Sequence, residues 1–177
     1  RDAYTAAHEA HDRDEAERGR ETGIERVKIV PVQVAGNIPP LSTGMLLSSL
    51  AAPRNDDLTE VYDLYPRWIT DVEDAPGPDE GPAVYLFTNY LWSHEKNLDA
   101  ARAIRQRHPR ALLVHGGPDC PDYREDSERY LRANPQVDIA VRGEGEVTIA
   151  DLLRALAPSI TSPDGPDLDA LRAVPGL

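Results

Sequence analysis

The 177-residue chain is predicted to fold as an α/β protein: a five-stranded parallel doubly wound sheet of flavodoxin-like or Rossmann-like type, strand order 2-1-3-4-5. Three observations predict it. Short apolar runs recur, as in Val27–Val34 (VKIVPVQV), Ala83–Phe87 and Ala111–Val114, and near-continuous runs mark strands covered on both faces. Stretches of helical spacing separate them, as at Leu98, Ala101, Ile104 and Arg105. Proline- and glycine-rich breakers punctuate the alternation, Ala75–Pro82 (APGPDEGP) above all.

Arg1–Glu25 is dense in Asp, Glu, Arg and Ala and reads as a solvated leader, a frayed helix or a disordered arm. His8 and His11 within it are three apart, but no other ligand-type residues cluster with them to form a metal site. Val27–Val34 is the first strand. Pro31 removes a ladder donor there, so a local irregularity is expected. After the loop Ala35–Leu41 (AGNIPPL), a helix is expected over Ser42–Ala52, with Ser42 or Thr43 as cap and Leu46, Leu47 and Leu50 facing inward. Leu58–Leu64 alternates enough to be an edge strand, and Tyr65–Asp74 is a short helix or loop holding Trp68.

The third strand, Ala83–Phe87, leads through a turn to a helix over His94–His108, capped by Ser93 and stopped by Pro109. Ala111–Val114 is the fourth strand, with His115 at its end as a satisfied side chain. A turn at Pro118–Asp122, a helix over Tyr123–Ala133, a fifth strand at Val137–Val141 and a helix over Glu146–Leu156 complete the unit. Pro158–Pro166 is linker-like. The organisation expected is a leader (1–25), an α/β domain (26–157) and a linker (158–177).

Bulk properties narrow the function. The formal net charge of −12, from 19 basic and 31 acidic residues, disfavours nucleic acid and anionic membranes, which need a basic footprint. No run approaches the ~20 apolar residues that cross a bilayer, and no signal-peptide core opens the chain. Cys120 is the single cysteine. It allows no intrachain disulfide or cysteine-rich metal cluster and fits a reducing cytoplasm.

In such a sheet, ligands bind at the turns beyond the carboxyl ends of the strands. Four turns gather there. The first holds Asn37, Pro39, Leu41 and Thr43, and the second Thr88, Asn89, Tyr90, Leu91 and Trp92. Gly116, Gly117 and Pro118 form the third, where bare backbone admits close approach. Gly143, Glu144, Gly145 and Glu146 form the fourth and open a helix whose N–H groups could meet a polar tail. Their carboxylates argue against a phosphate. There is no GxGxxG and no P-loop, and no acidic pair of the response-regulator kind follows the first strand. Ala35–Leu41 is a poor flavin-phosphate loop. No Ser/His/Asp order or carboxylate pair sits at the strand ends. His94 and His115 are the histidines near this edge.

The TNYLW turn, LLVHGGPDCP and NPQVDIAVRGEGE, each in its place, together resemble the cobalamin-binding domain of B12-dependent (class B) radical SAM enzymes, over about Val27 to Leu177. LRAVPGL resembles the passage into their catalytic barrel. The resemblance implies a cobalamin cofactor whose nucleotide tail threads between sheet and helix near Gly116 and Gly117, with the TNYLW turn under the corrin. Related cobalamin folds ligate cobalt through a histidine in a DxHxxG loop. Here that loop has none, which implies base-off, histidine-off binding with Trp92 at the lower face. An indole N–H cannot ligate a metal; an unligated lower face would favour four-coordinate cobalt and its re-methylation by S-adenosylmethionine. For the parent enzyme the resemblance implies a [4Fe–4S] cluster, methylation of an unactivated carbon of the kind met in natural-product biosynthesis, and a downstream radical SAM domain as partner. This chain has no CxxxCxxC motif and should be inactive alone. The alternative is a stand-alone flavodoxin-like binding or regulatory domain with no corrinoid.

Overall fold

Apolar side chains alternate between the two faces of a central sheet, and that alternation decides where each helix lies. The computed structural model describes residues 26–34 and 41–177; the leader, with His8 and His11, and positions Asn37 and Pro39 fall outside them. Five strands, β1 (Val27–Val32), β2 (Tyr62–Leu64), β3 (Ala83–Thr88), β4 (Leu112–Gly116) and β5 (Ile139–Ala140), form one sheet in the order β2-β1-β3-β4-β5. Every pairing is parallel, as predicted. The described α-helices are α1 (Leu41–Leu50), α2 (His94–Arg107), α3 (Arg124–Ala133) and α4 (Gly145–Leu156).

One sheet face turns Ile29, Val84, Leu86 and Val114 toward α1 and α4, where they pack with Leu50, Ile149, Leu152 and Leu156. The other turns Val30, Tyr85, Phe87 and Leu113 toward Ala100, Ala101 and Ile104 of α2. Burying each large side chain stabilises the fold by about 1.5–3 kcal/mol. Helix α3 lies on the α2 side, where the Tyr130 hydroxyl reaches His115 Nδ1 at 3.2 Å.

Pro31 stays in β1, in register with Leu86. The irregularity it causes falls on the neighbouring strand. β2 ends at Leu64, the chain bows away opposite the missing N–H, and pairing resumes at Ile69, whose N–H reaches the Pro31 carbonyl at 2.9 Å. The expected strand over Leu58–Leu64 shortens to Tyr62–Leu64, because Pro53 opens a 3-10 helix through Glu60. That helix buries Leu58 and Asn55, and the Asn55 amide donates to the Ser49 carbonyl. Helix α1 starts at Leu41, one residue before the expected cap, and ends at Leu50 rather than Ala52. Leu50 is buried; Leu46 and Leu47 are half-buried.

The stretch expected as a linker folds back against α4 and the loop that follows β5. A 3-10 helix over Leu168–Ala173 buries Leu171, and the Arg142 N–H donates to the Gly176 carbonyl at 2.8 Å. Arg110 donates to the carbonyls of Ser162 and Pro163. Among the described residues no helix is long and apolar enough to cross a membrane.

β5 has only two residues and is held by a side chain. Asp138 accepts from the Leu113 N–H at 2.7 Å and from Arg105 at 2.5 Å, while Arg105 also donates to the Ala111 carbonyl. Burial pushes the Asp138 carboxyl up, against the pull of the Leu113 N–H and Arg105. Asp138→Ala leaves the Leu113 N–H unmatched and removes the carboxylate partner of Arg105, and is expected to cost about 2–3 kcal/mol. A urea melt with an unmoved midpoint would show the pair to be peripheral.

Candidate functional site

A cavity of about 440 Å³ opens on the α1/α4 face at the carboxyl ends of β3, β4 and β5, within the ~300–1,000 Å³ usual for small-molecule sites. Its apolar wall comes from Leu46 of α1, Leu86, Val114 and Val141 at the strand ends, and Ile149 of α4. Ser42 and Thr88 add hydroxyls; Gly116–Pro118 and Gly143–Glu146 form its edges, with Tyr90 and Asp122. No Lys, Arg or His lines it among the described residues.

Glycine is required at one of these edges and eases a close approach at another. Gly117 has φ +96°, and a Cβ there would lie 2.8 Å from the Asn89 carbonyl oxygen and 2.9 Å from its nitrogen. Its absence lets the β3 and β4 turns close on each other, with the Asn89 N–H donating to the Gly116 carbonyl at 2.7 Å and the Asp119 N–H to the Asn89 carbonyl at 3.0 Å. A Cβ on Gly145 would meet Leu46 Cδ2 at 3.0 Å, so α4 can start directly beside α1. Helix α4 begins there with no side-chain cap.

The β3–α2 turn is built as a frame for its aromatics. Ser93 occupies the cap position, but its hydroxyl makes no capping bond to α2. It turns back and accepts from the Tyr90 N–H at 3.0 Å. Asn97, on the first turn of α2, donates to the Thr88 carbonyl at 3.0 Å and to the Asn89 side-chain oxygen at 2.8 Å. The Tyr90 and Trp92 rings then stack in parallel at 4.8 Å with 10° between planes. Trp92 is 66% exposed and Leu91 84% exposed, so a flat apolar shelf stands beside the cavity mouth.

Beneath that shelf lies a buried polar network. The Asn89 amide donates to His115 Nδ1 at 3.0 Å and contacts Cys120 Sγ at 3.3 Å. His115 lies inside β4 rather than past its end, fully buried, stacked on its register neighbour Phe87 at 4.3 Å. Its Nε2 is buried with no partner among the described residues. Burial, and secondarily the charge of His94, push its pKa down to about 3, so the ring is neutral. Burial likewise pushes the Cys120 thiol up to about 11. His94 is taken by Asp119, Nδ1 to Oδ2 at 2.6 Å.

The structure therefore gathers Thr88, Tyr90, Gly116, Gly117, Pro118 and Gly143–Glu146 around one cavity. Asn89 and Thr43 have no exposed surface; Thr43 Oγ1 pairs with Thr88 Oγ1 at 3.0 Å. Leu41 faces a separate groove with Met45 and Trp68, and Leu91 and Trp92 stand outside the cavity wall. Sequence reasoning missed Ser42, Leu46, Leu86, Val114, Val141 and Ile149 as wall residues. Leu86 and Val114 lie two residues before Thr88 and Gly116, so the two-residue side-chain period of a strand puts them on the cavity face. Ser42, Leu46 and Ile149 carry no such signal. Among the described residues no group of three His, Cys, Asp or Glu could hold a metal ion.

No protein-family model matches the chain. It is 32% identical over 116 residues, 64% of its length, to 2-(S-pantetheinyl)-carbapenam-3-carboxylate methyltransferase of Streptantibioticus cattleyicolor. It is 28% identical over 140 residues, 78% of its length, to the cobalamin-dependent radical SAM methyltransferase TokK of Streptomyces tokunonensis. A shorter match, 43% over 53 residues, 30% of its length and 10% of the relative's, is to an anaerobic magnesium-protoporphyrin IX monomethyl ester cyclase of Synechocystis. The chain spans 16% and 19% of the two methyltransferases' lengths. The resemblance to cobalamin-dependent radical SAM methyltransferases is thereby borne out.

His115 generates an acid limb. Its folded pKa, about 3, is depressed from the ordinary 6.5. Between those values the unfolded chain binds a proton that the folded chain refuses, so stability is full above about pH 6.5 and falls as pH drops toward 3. His108, also lowered by burial, adds to the same limb. His115→Leu is expected to remove up to about 1.4 kcal/mol per pH unit of that slope. Urea melts across the window showing an unchanged slope would assign the proton elsewhere.

Proposed function

We propose that this chain is the cobalamin-binding domain of a radical SAM methyltransferase, holding the corrinoid base-off and with no histidine on cobalt. One observation carries the reading. A largely apolar cavity lies beside an exposed aromatic shelf, while both nearby imidazoles are engaged elsewhere, His115 buried and His94 bonded to Asp119.

The residues present fit this group. A detached nucleotide base needs an apolar slot, and Leu46, Leu86, Val114, Val141 and Ile149 supply one. The corrin rim carries primary amides, which donate hydrogen bonds. Among the described residues the charged groups at the cavity are the acceptors Asp122, Glu144 and Glu146. Glycine edges at 116–117 and 143 would let the tail pass close to backbone, and the uncapped start of α4 offers N–H donors.

In this reading Tyr90, Leu91 and Trp92 underlie the ring and exclude water from its lower face. Ser93, Asn97 and Asn89 hold that turn rigid. When bound, the corrinoid supplies a cobalt-carried methyl group. In the parent protein, S-adenosylmethionine, a [4Fe–4S] cluster and the unactivated substrate carbon belong to a radical SAM domain beyond this chain, whose single cysteine is buried.

The folded chain is expected to take up hydroxocobalamin and to show a base-off absorption spectrum at neutral pH. A base-on spectrum would count against base-off binding, and a colourless sample would favour a corrinoid-free binding domain. Trp92→His is expected to add nitrogen splitting to the EPR spectrum of the bound cobalt(II) form; an unchanged spectrum would put the indole away from cobalt.

A further inference from the structure

Residues 174–177 are fastened to the turn that forms one edge of the cavity. The Gly176 carbonyl accepts from the Arg142 N–H at 2.8 Å, and the Leu177 carbonyl accepts from the Arg142 guanidinium. The Pro175 carbonyl accepts from Thr148 Oγ1, on the first turn of α4, at 3.4 Å. Val174 and Leu177 pack half-buried against the core of the α1/α4 face, and Leu171 behind them is buried. One point of the fit requires glycine. Gly176 has φ +88°, and a Cβ there would lie 2.8 Å from Thr148 Oγ1. The residue gripped is placed to matter for the cavity. Arg142 stands between Val141, which belongs to the wall, and Gly143–Glu146, which form the edge. Gly143 and Glu144 are exposed, and α4 starts behind them with no side-chain cap, so this edge draws its order from its flanks.

Resting on the cobalamin reading, we propose that residues 174–177 are a latch on the corrinoid site: closed, they hold the Gly143–Glu146 edge in its binding geometry, and a bound corrinoid in turn holds them closed. With the latch open, the Arg142 N–H and Thr148 lose their partners, and the edge gains freedom that a ligand must then remove. With the latch closed, that ordering is already complete and affinity is higher. The coupling is reciprocal: the factor by which closure strengthens corrinoid binding is the factor by which bound corrinoid favours closure. In the parent protein proposed above, the latch lies between the corrinoid and the radical SAM domain beyond this chain, so an empty site would leave the segment joining them less firmly held.

The test is amide hydrogen exchange of the full chain, read at Arg142 with and without hydroxocobalamin, beside hydroxocobalamin titrations of two variants. The Arg142 N–H is the reporter because its acceptor belongs to the latch. Bound corrinoid is expected to slow its exchange about fivefold or more. Gly176→Ala, which cannot keep the closed geometry without strain, is expected to weaken hydroxocobalamin binding by a similar factor, about fivefold or more. Arg110→Ala releases the same tail at Ser162 and Pro163, at the amino end of the sheet, and is expected to leave the affinity unchanged, separating the latch from general packing of the tail. Arg142 exchange that the corrinoid does not slow, equal affinities of wild type and Gly176→Ala, or equal weakening by the two variants overturns the latch while the cobalamin reading stands. No uptake of hydroxocobalamin by the wild type overturns both.

Discussion

The site depends on the closure of two turns over a glycine. Gly117 leaves space for the Asn89 backbone to sit where a Cβ would otherwise be, and three groups of Asn89 use that proximity. Its N–H reaches the β4 end, its carbonyl receives Asp119, and its amide reaches His115 and Cys120. Two loops from different strands thereby become one rigid corner. The aromatic shelf rests on one side of that corner and the cavity opens on the other, so their relative placement follows from Asn89 more than from any residue a ligand would touch.

The chemistry beneath the shelf is neutral by construction. Burial holds His115 neutral and the thiol of Cys120 protonated. A polar network without net charge can rigidify a corner without placing an uncompensated ion under an apolar ligand. It also withholds a histidine from the ligand side, although the chain carries two imidazoles close by. The absence of a coordinating side chain at the shelf is thus a matter of where His94 and His115 are bonded, beyond what the residue count conveys.

Much of the architecture was legible because it rests on burial period. Near-continuous apolar runs placed β1, β3 and β4, and glycine after a strand marked the edge where the cavity opens. Legibility failed where one residue type serves two geometries. Leu58–Leu64 alternates like a strand, yet Pro53 commits its first half to a 3-10 helix. Ser93 has the identity and position of a helix cap, but its hydroxyl serves the turn behind it. The aliphatic wall of the cavity was hidden for a related reason: Leu46 and Ile149 read as ordinary core leucine and isoleucine, and only the third dimension separates a residue facing another side chain from one facing a void. Ser42 reads as a cap candidate in the sequence, and only the structure shows its hydroxyl buried with no partner among the described residues.

The two margins of the sheet carry a consequence for solubility. β2 has three residues and β5 two, and the detour opposite Pro31 ends regular pairing on the β2 side before a longer edge can form. Strands this brief give a stray polypeptide too few unpaired backbone groups to nucleate cross-chain sheet growth. Among the described residues, the brevity of its margins is therefore what guards this sheet against an added strand.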